Sequence, residues 1–252
     1  MALIKTDSSN YENAAAKIRE KTNRQNGYKP SQLPSGIEDV FEAGKKAESD
    51  AFWEAYQKQG ERTNYEYAFA DNWTNDTFKP KYDIVPVGDY AATCMFQKTS
   101  LDIPAGLAHN GVKLDLSQCT SLSSTFLQAM AAILPPIDMQ SCTRTSLTFY
   151  NTKITQLYIN NLREDCTFDR TFLYNATLVD FFVTGTIGEN GFNVQQSRSL
   201  TKQSIMSIIN ALADKSADTS GTVWKVTIGE TNRAKLTAEE IEIAEQKGWT
   251  IE

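Results

Sequence analysis

Apolar residues change their spacing several times along the chain, and each spacing predicts a different element. Over residues 10–22, "NYENAAAKIREKT", Ala14, Ile18 and the intervening alanines give one apolar face of a short helix. Asn-Gly and two prolines in "NRQNGYKPSQLP" break the pattern. A second helix opens at Ser35, with Glu38 three residues later. That pair is a capping box, in which each side chain takes a free backbone N–H of the first turn. Ile37, Val40, Phe41, Gly44, Ala47, Ala51 and Ala55 then recur every three or four residues to about Gln59, a narrow, small-sided, near-heptad stripe. Two readings of the stripe stand side by side. It packs on its own domain, or Ile37, Phe41, Gly44, Ala47 and Ala51 meet symmetry mates in a dimer or trimer.

From residue 61 the helical period disappears. Tyr65, Tyr67, Phe69, Trp73, Phe78 and Tyr82 are dense in aromatic area, and the alternation of Tyr65, Tyr67 and Phe69 predicts a short strand. Such a cluster is either a sugar-binding platform or the packed end of a neighbouring core.

The next pattern is an internal repeat. Thr-Phe stands at Thr125-Phe126, Thr148-Phe149 and Thr171-Phe172, each pair 23 residues after the last. The unit "VKLDLSQCTSLSSTFLQAMAAIL" is followed by "PPIDMQSCTRTSLTFYNTKITQ". Between them Leu114 matches Ile137, Asp115 matches Asp138, Leu116 matches Met139, and Cys119 matches Cys142. A third unit carries "LYI", Cys166, Phe168 and Phe172, with an insertion between strand and cysteine, and Phe96 marks a degenerate earlier copy.

A period of 20–29 residues carrying Leu-x-Leu-x-x-Cys is the spacing of leucine-rich repeats. Each unit then adds one short strand to a parallel ladder and lends its neighbour the apolar wall that neither has alone. Strand alternation points Leu114, Leu116, Ile137 and Met139 inward, and leaves Lys113, Asp115, Asp138, Gln140, Tyr158 and Asn160 on the outer face as candidate binding residues. Cys119, Cys142 and Cys166 fall where the chain leaves the ladder, where a small side chain fits inside the turn. Phe126, Phe149 and Phe172 fill the volume behind the strands, so these cysteines and phenylalanines read as repeat core.

The last coil of such a stack needs a cover. Ser199 or Thr201 caps a helix over "SIMSIINALAD" with Ile205, Ile208, Ile209 and Leu212 on one face. "TVWKVTI" alternates as a strand. Thr237 and Glu240 form another capping box for "AEEIEIAEQKG", Gly248 ends that helix, and "WTI" returns as a strand. The expected fold is α+β, with a helical assembly segment over 1–60 and an aromatic cap or connector over 61–93. A leucine-rich-repeat solenoid follows over 94–198, and an α/β cap over 199–252.

Composition narrows the function. A net charge of −6 over 252 residues argues against a nucleic-acid binder, which needs a basic stripe. No apolar run suits a signal peptide or a membrane span, so the expectation is synthesis in the cytoplasm without membrane insertion. The four cysteines are widely separated and the single His109 supplies no ligand set, which argues against a zinc site. Catalysis finds no support: Glu164, Asp165 and Asp169 cluster with nothing to raise one pKa, and His109 has no nucleophile motif around it. No catalytic residue, metal or cofactor is expected.

The units "LDLSQCTSLSSTF" and "IDMQSCTRTSLTF" resemble the BspA-type leucine-rich repeats of bacterial surface and prophage-encoded proteins. "AAAKIREKTNRQNGYKPSQLPSGIEDV" and the ending "SLTKQSIMSIINAL…KVTIGETNRAKLT…EIAEQKGWTI" resemble the flanks found in tail-region proteins of phages that infect Gram-positive bacteria. The resemblance implies a non-enzymatic virion protein of the tail or baseplate. Its partners would be other phage structural proteins or a host cell-surface protein or glycan, with self-association through the N-terminal helix. The alternative is a bacterial or prophage-encoded adhesion or interaction module outside the virion.

Overall fold

The computed structural model describes residues 63–70, 73–76, 78–80, 82–130 and 133–252. The helices expected over 10–22 and 35–59, including Ile37, Phe41, Gly44, Ala47 and Ala51, lie outside those residues. Within them the chain is mixed helix and strand with two small, open parallel sheets. In order come helix α1 (Ile103–Ala108), strands β1 (Ile137–Asp138), β2 (Gln156–Leu162) and β3 (Asp180–Gly185), and helix α2 (Lys202–Ala211). Strand β4 (Trp224–Val226), helices α3 (Glu230–Arg233) and α4 (Ala238–Gln246), and strand β5 (Trp249–Ile251) follow. β1, β2 and β3 pair in that order, and β4 pairs with β5.

Repeating segments lie side by side with two kinds of backbone pairing. On one wall are β1–β3, joined in parallel with Ile137 opposite Ile159 and Ile159 opposite Val183. The other wall is a ladder of turns. Leu122, Ser124, Phe126 and Gln128 donate their N–H groups to the carbonyls of Arg144, Ser146, Thr148 and Tyr150 at 2.8–3.0 Å. The intervening Thr125, Leu127 and Ala129 instead donate to carbonyls three residues back in their own segment. The next rung repeats the scheme: Thr145, Leu147, Phe149 and Asn151 donate to Thr167, Asp169, Thr171 and Leu173.

Within each rung, left-handed backbone recurs at every fourth residue. Ser124, Leu147 and Arg170 all sit at φ 53–57°, and Gln128, Asn151 and Tyr174 at φ 50–62°. Left-handed backbone costs a non-glycine residue about 1–2 kcal/mol, so inter-segment hydrogen bonds and packing must hold it.

Between the two walls runs a column of phenylalanines. Ring centroids are 5.2 Å apart for Phe69–Phe96, 5.6 Å for Phe96–Phe126, 5.7 Å for Phe126–Phe149 and 5.6 Å for Phe149–Phe172. The last three pairs are nearly coplanar, at 0°, 5° and 11°, and all five rings are buried. The threonine that precedes each repeat phenylalanine is buried too, and its hydroxyl donates to a carbonyl: Thr125 to Ala92 and Leu122, Thr148 to Leu122, Thr171 to Thr145. Thr-Phe recurs because the ring fills the interior while the hydroxyl satisfies a buried acceptor beside it.

Three sequence expectations need correction. Tyr65, Tyr67 and Phe69 form no strand. Their N–H groups do pair with Ala91, Thr93 and Met95, but as the first rung of the turn ladder, with Tyr67 at φ 54°. Leu114 is only half-buried, whereas its counterpart Ile137 is buried. Leu114 bridges back to Ile84, and among the described residues no bridge joins it to Ile137, so the strand wall does not close over it. The extra residues of the third unit are absorbed inside β2 at Asn161, left-handed at φ 55°, where the pairing register with β3 slips.

The exposed edge of β3 is closed by α2. Ser204 and Ser207 hydroxyls accept from the N–H groups of Phe181 and Val183 and donate to the carbonyls of Val179 and Val183. Hydroxyls at that spacing on one helix face do what a further strand would do, and an uncovered edge invites aggregation. α2 is capped by Thr201, buries Ile205, Ile208 and Ile209, and has its C-terminal carbonyls bound by Lys247 Nζ. α4 begins with the Thr237–Glu240 capping box, and β5 pairs with β4 so that the Trp249 and Trp224 rings lie 5.5 Å apart, tilted by 49°.

Candidate interaction face

The six outward residues divide into two groups. Asp138 on β1 lies opposite Asn160 on β2, with Tyr158 two residues before on the same face of β2. Tyr158 stays 38% exposed although its ring stacks on Phe182 of β3 at 5.4 Å and 17°, and Gln156 donates to Asp180 one rung along. Asn160, Gln140 and Lys113 are exposed. Lys113 and Asp115 flank Leu114 and are tied to the segment around Ile84, through Asp83 for Lys113 N–H and Ile84 carbonyl for Asp115 N–H. Pairing therefore brings Asp138, Tyr158 and Asn160 together and does not extend to Lys113 and Asp115.

The two aspartates also serve the chain itself. Asp115 Oδ1 accepts from Ser117 N–H at 2.9 Å, and Asp138 Oδ1 from Gln140 N–H at 3.0 Å. Each carboxylate closes a turn where the strand ends, the usual local role of an Asx side chain. Asp138 Oδ2 is taken by Asn161 Nδ2 at 3.0 Å. Asp115 and Asp138 are half-buried.

Phe182 is the residue the sequence reading missed. "DFFV" alternates like any half-buried strand: Phe181 and Val183 are buried, and Phe182 shares the outer face with Tyr158. A second exposed group has no sequence signal, because its members are far apart in the chain. Arg144 pairs with Asp89 and lies 5.6 Å from the centroid of the exposed Tyr90 ring. The guanidinium beside Asp89 holds its carboxyl below the ordinary carboxylate range.

The clustered acids Glu164, Asp165 and Asp169 are dispersed into ion pairs and hydrogen bonds. Glu164 meets Lys215 at 2.9 Å, Asp165 chelates Arg163 at 2.8 Å, and Asp169 accepts from Ser146 at 3.1 Å. The Arg163 guanidinium keeps the Asp165 carboxyl below its usual value. His109 is exposed at the C-terminal end of α1. Among the described residues no group of three or more His, Cys, Asp or Glu could hold a metal ion, and no helix is long and apolar enough to cross a membrane.

Cys119, Cys142 and Cys166 are free thiols, wholly buried at the turns that end their strand segments. Cys119 N–H donates to Leu116 carbonyl and Cys142 N–H to Met139 carbonyl, while the Cys119 thiol donates to Pro86 carbonyl at 3.3 Å. Burial pushes the Cys119 thiol up to about 12. For Cys166 the hydrogen bond with Cys142 comes first and burial second, and both hold the proton on sulfur. Iodoacetamide at about pH 8 is expected to alkylate native Cys119 roughly a thousandfold more slowly than the unfolded chain. Peptide mapping after a timed quench measures this; equal rates would place the thiol in solvent.

The chain matches no protein-family model, no curated protein and no solved structure.

Proposed function

We propose that this chain is a non-enzymatic phage structural protein of the tail or baseplate. In this reading residues 94–198 form a leucine-rich-repeat solenoid whose outer strand face binds a protein or a host-surface receptor. The observation that carries it is the stack of exposed Tyr158 on half-buried Phe182, on a backbone fixed by strand pairing on either side of β2. An aromatic pair already locked by its neighbour loses little rotamer freedom when a partner covers it, which favours binding. The resemblance of the repeats and of both flanks to tail-region proteins supplies the setting. Fold analogy alone would not supply the function.

Two measurements test it. Mass spectrometry of purified particles is expected to find the chain in amounts matching other tail components. Its absence from particles, with the protein abundant in the lysate, would favour the interaction module outside the virion. The double variant Tyr158→Ser/Phe182→Ser is expected to keep the wild-type melting temperature within a few degrees. It should lose about tenfold or more in binding of the labelled full chain to cells the phage infects, the scale of a truncated aromatic anchor. Unchanged binding would remove this face from the proposal.

A further inference from the structure

Asn-Gly occurs twice among the described residues, at Asn110-Gly111 and at Asn190-Gly191. The dipeptide is reactive because glycine has no side chain to shield its nitrogen. That nitrogen can attack the preceding asparagine Cγ and close a succinimide ring. What holds the two groups decides whether it does, and the two sites differ.

At the first site both groups are engaged. Gly111 N–H donates to Ala108 carbonyl at 3.2 Å. Asn110 Nδ2 donates to the carbonyls of Lys79 and Pro80, at 3.2 Å and 2.8 Å, the second bond partly buried. At the second site the nucleophile is free. Gly191 N–H meets no acceptor among the described residues, and both residues are exposed beside a half-open pocket of about 410 Å³. Asn190 is tied to β4 through two exposed bonds: Oδ1 accepts from Lys225 N–H at 2.8 Å, and Nδ2 donates to Val223 carbonyl at 3.2 Å. Exposed bonds of this kind open locally, without unfolding of the core. The carboxamide can then swing back to its own main chain.

We propose that Asn190-Gly191 is a site of spontaneous covalent modification, and that its reaction loosens β4 from residues 190–194. Gly191 nitrogen gives its proton to a solvent base and bonds to Asn190 Cγ. The Cγ–Nδ2 bond breaks, and Nδ2 takes up a proton and leaves as ammonia. Water then opens the succinimide at either carbonyl, which yields aspartate or isoaspartate. The reaction is hydrolytic throughout, so no oxidant or reductant enters. Both products exchange the Nδ2 donor for a carboxylate oxygen that faces Val223 carbonyl, so an attraction becomes a repulsion. Isoaspartate also adds one carbon to the main chain just before Phe192. That ring closes the phenylalanine column, 5.1 Å from Phe168 and 5.2 Å from Phe172. Its carbonyl accepts from Thr227 N–H, and Val194 N–H donates to Thr227 carbonyl, so the added carbon falls where these bonds set the register. The inference stands apart from the outer strand face and from any role in a virion.

The test ages the full-length chain in mildly alkaline buffer made with heavy-oxygen water, which marks every hydrolysed succinimide. A capped synthetic peptide copying "GENGFNV", residues 188–194, gives the unrestrained rate. Peptide mapping by mass spectrometry, with enzymatic methylation of isoaspartate, counts the products at each site. Asn190 in the folded chain is expected to react within about tenfold of the peptide, and at least about tenfold faster than Asn110. The aged form, separated by its added negative charge, should melt about 3 °C lower, the scale of one lost hydrogen bond in a domain of this size. Its Val194 and Thr227 amides should exchange faster than in the fresh chain. Asn190→Gln, whose longer side chain cyclises far more slowly, is expected to keep its own starting midpoint through the same ageing. The proposal is overturned if Asn190 reacts no faster than Asn110, or reacts only in denaturant. It also fails if the aged form keeps the midpoint and exchange rates of the fresh chain. Equal loss on ageing in Asn190→Gln would overturn it as well, since the damage would then lie elsewhere.

Discussion

Replacing Phe149 with alanine is expected to destabilise the chain by about 3–5 kcal/mol, the range for deleting a buried aromatic ring. The ring sits in the middle of the column, with Phe126 at 5.7 Å and Phe172 at 5.6 Å, and is wholly buried. Its loss removes both stacking contacts and leaves a void that the flanking rungs cannot fill, because each is tied to the next by four backbone hydrogen bonds. In a stack where every unit touches only its neighbours, an interior break also uncouples the segments on either side. Thermal unfolding followed by circular dichroism should show a lower and broader transition. An unchanged midpoint would mean the column carries none of the stability.

The second large effect is expected at Gly185, where β3 meets the slipped register of β2. A Cβ there would lie 2.2 Å from Leu162 carbonyl oxygen and 2.4 Å from Leu162 nitrogen, and the residue sits at φ 93°. Gly185→Ala therefore combines backbone strain with a collision against main chain that has no side chain to swing aside. The Thr186 N–H to Leu162 carbonyl bond at 2.8 Å would be forced open. A loss of roughly 3 kcal/mol or more is expected from strain and a broken buried bond together. Gly88 is the control: it has the same φ of 93°, but a Cβ added there would meet nothing within 4 Å, so Gly88→Ala should lose only the conformational part. Equal midpoints for the two variants in urea would show that the close approach to Leu162 is not rigid.

Much of this arrangement is legible in the chain, and the failures share a cause. The spacing of Phe126, Phe149 and Phe172 locates the interior column because a ring must return to the same depth in each unit. The caps Thr201 and Thr237 are legible because they act on their own helix. The turn ladder is not. Its left-handed positions include Tyr67, Cys94, Lys98, Ser124, Gln128, Leu147, Asn151, Arg170 and Tyr174, with no glycine among them, and it is bonding between rungs far apart in the chain that holds the conformation. Tyr65, Tyr67 and Phe69 imitate a strand for a related reason. With Tyr67 left-handed between them, buried Tyr65 and Phe69 flank exposed Tyr67 as they would in a strand. At the candidate face, the alternation shows only which way Asp115 and Asp138 point. Whether Ser117 and Gln140 N–H groups then claim the carboxylates depends on the turn that follows.

Because the rungs at 122–128 and 145–151 hand on the same four bonds and the same ring, the upper surface of one matches the lower surface of the next. A duplication or loss of one 23-residue stretch by unequal recombination would leave a junction that still fits, whereas a change of a few residues inside a rung would put every later donor out of step. Descendants of this gene should accordingly differ in length by whole periods, with irregular insertions gathered outside the rungs, as the longer interval between Phe96 and Phe126 already illustrates.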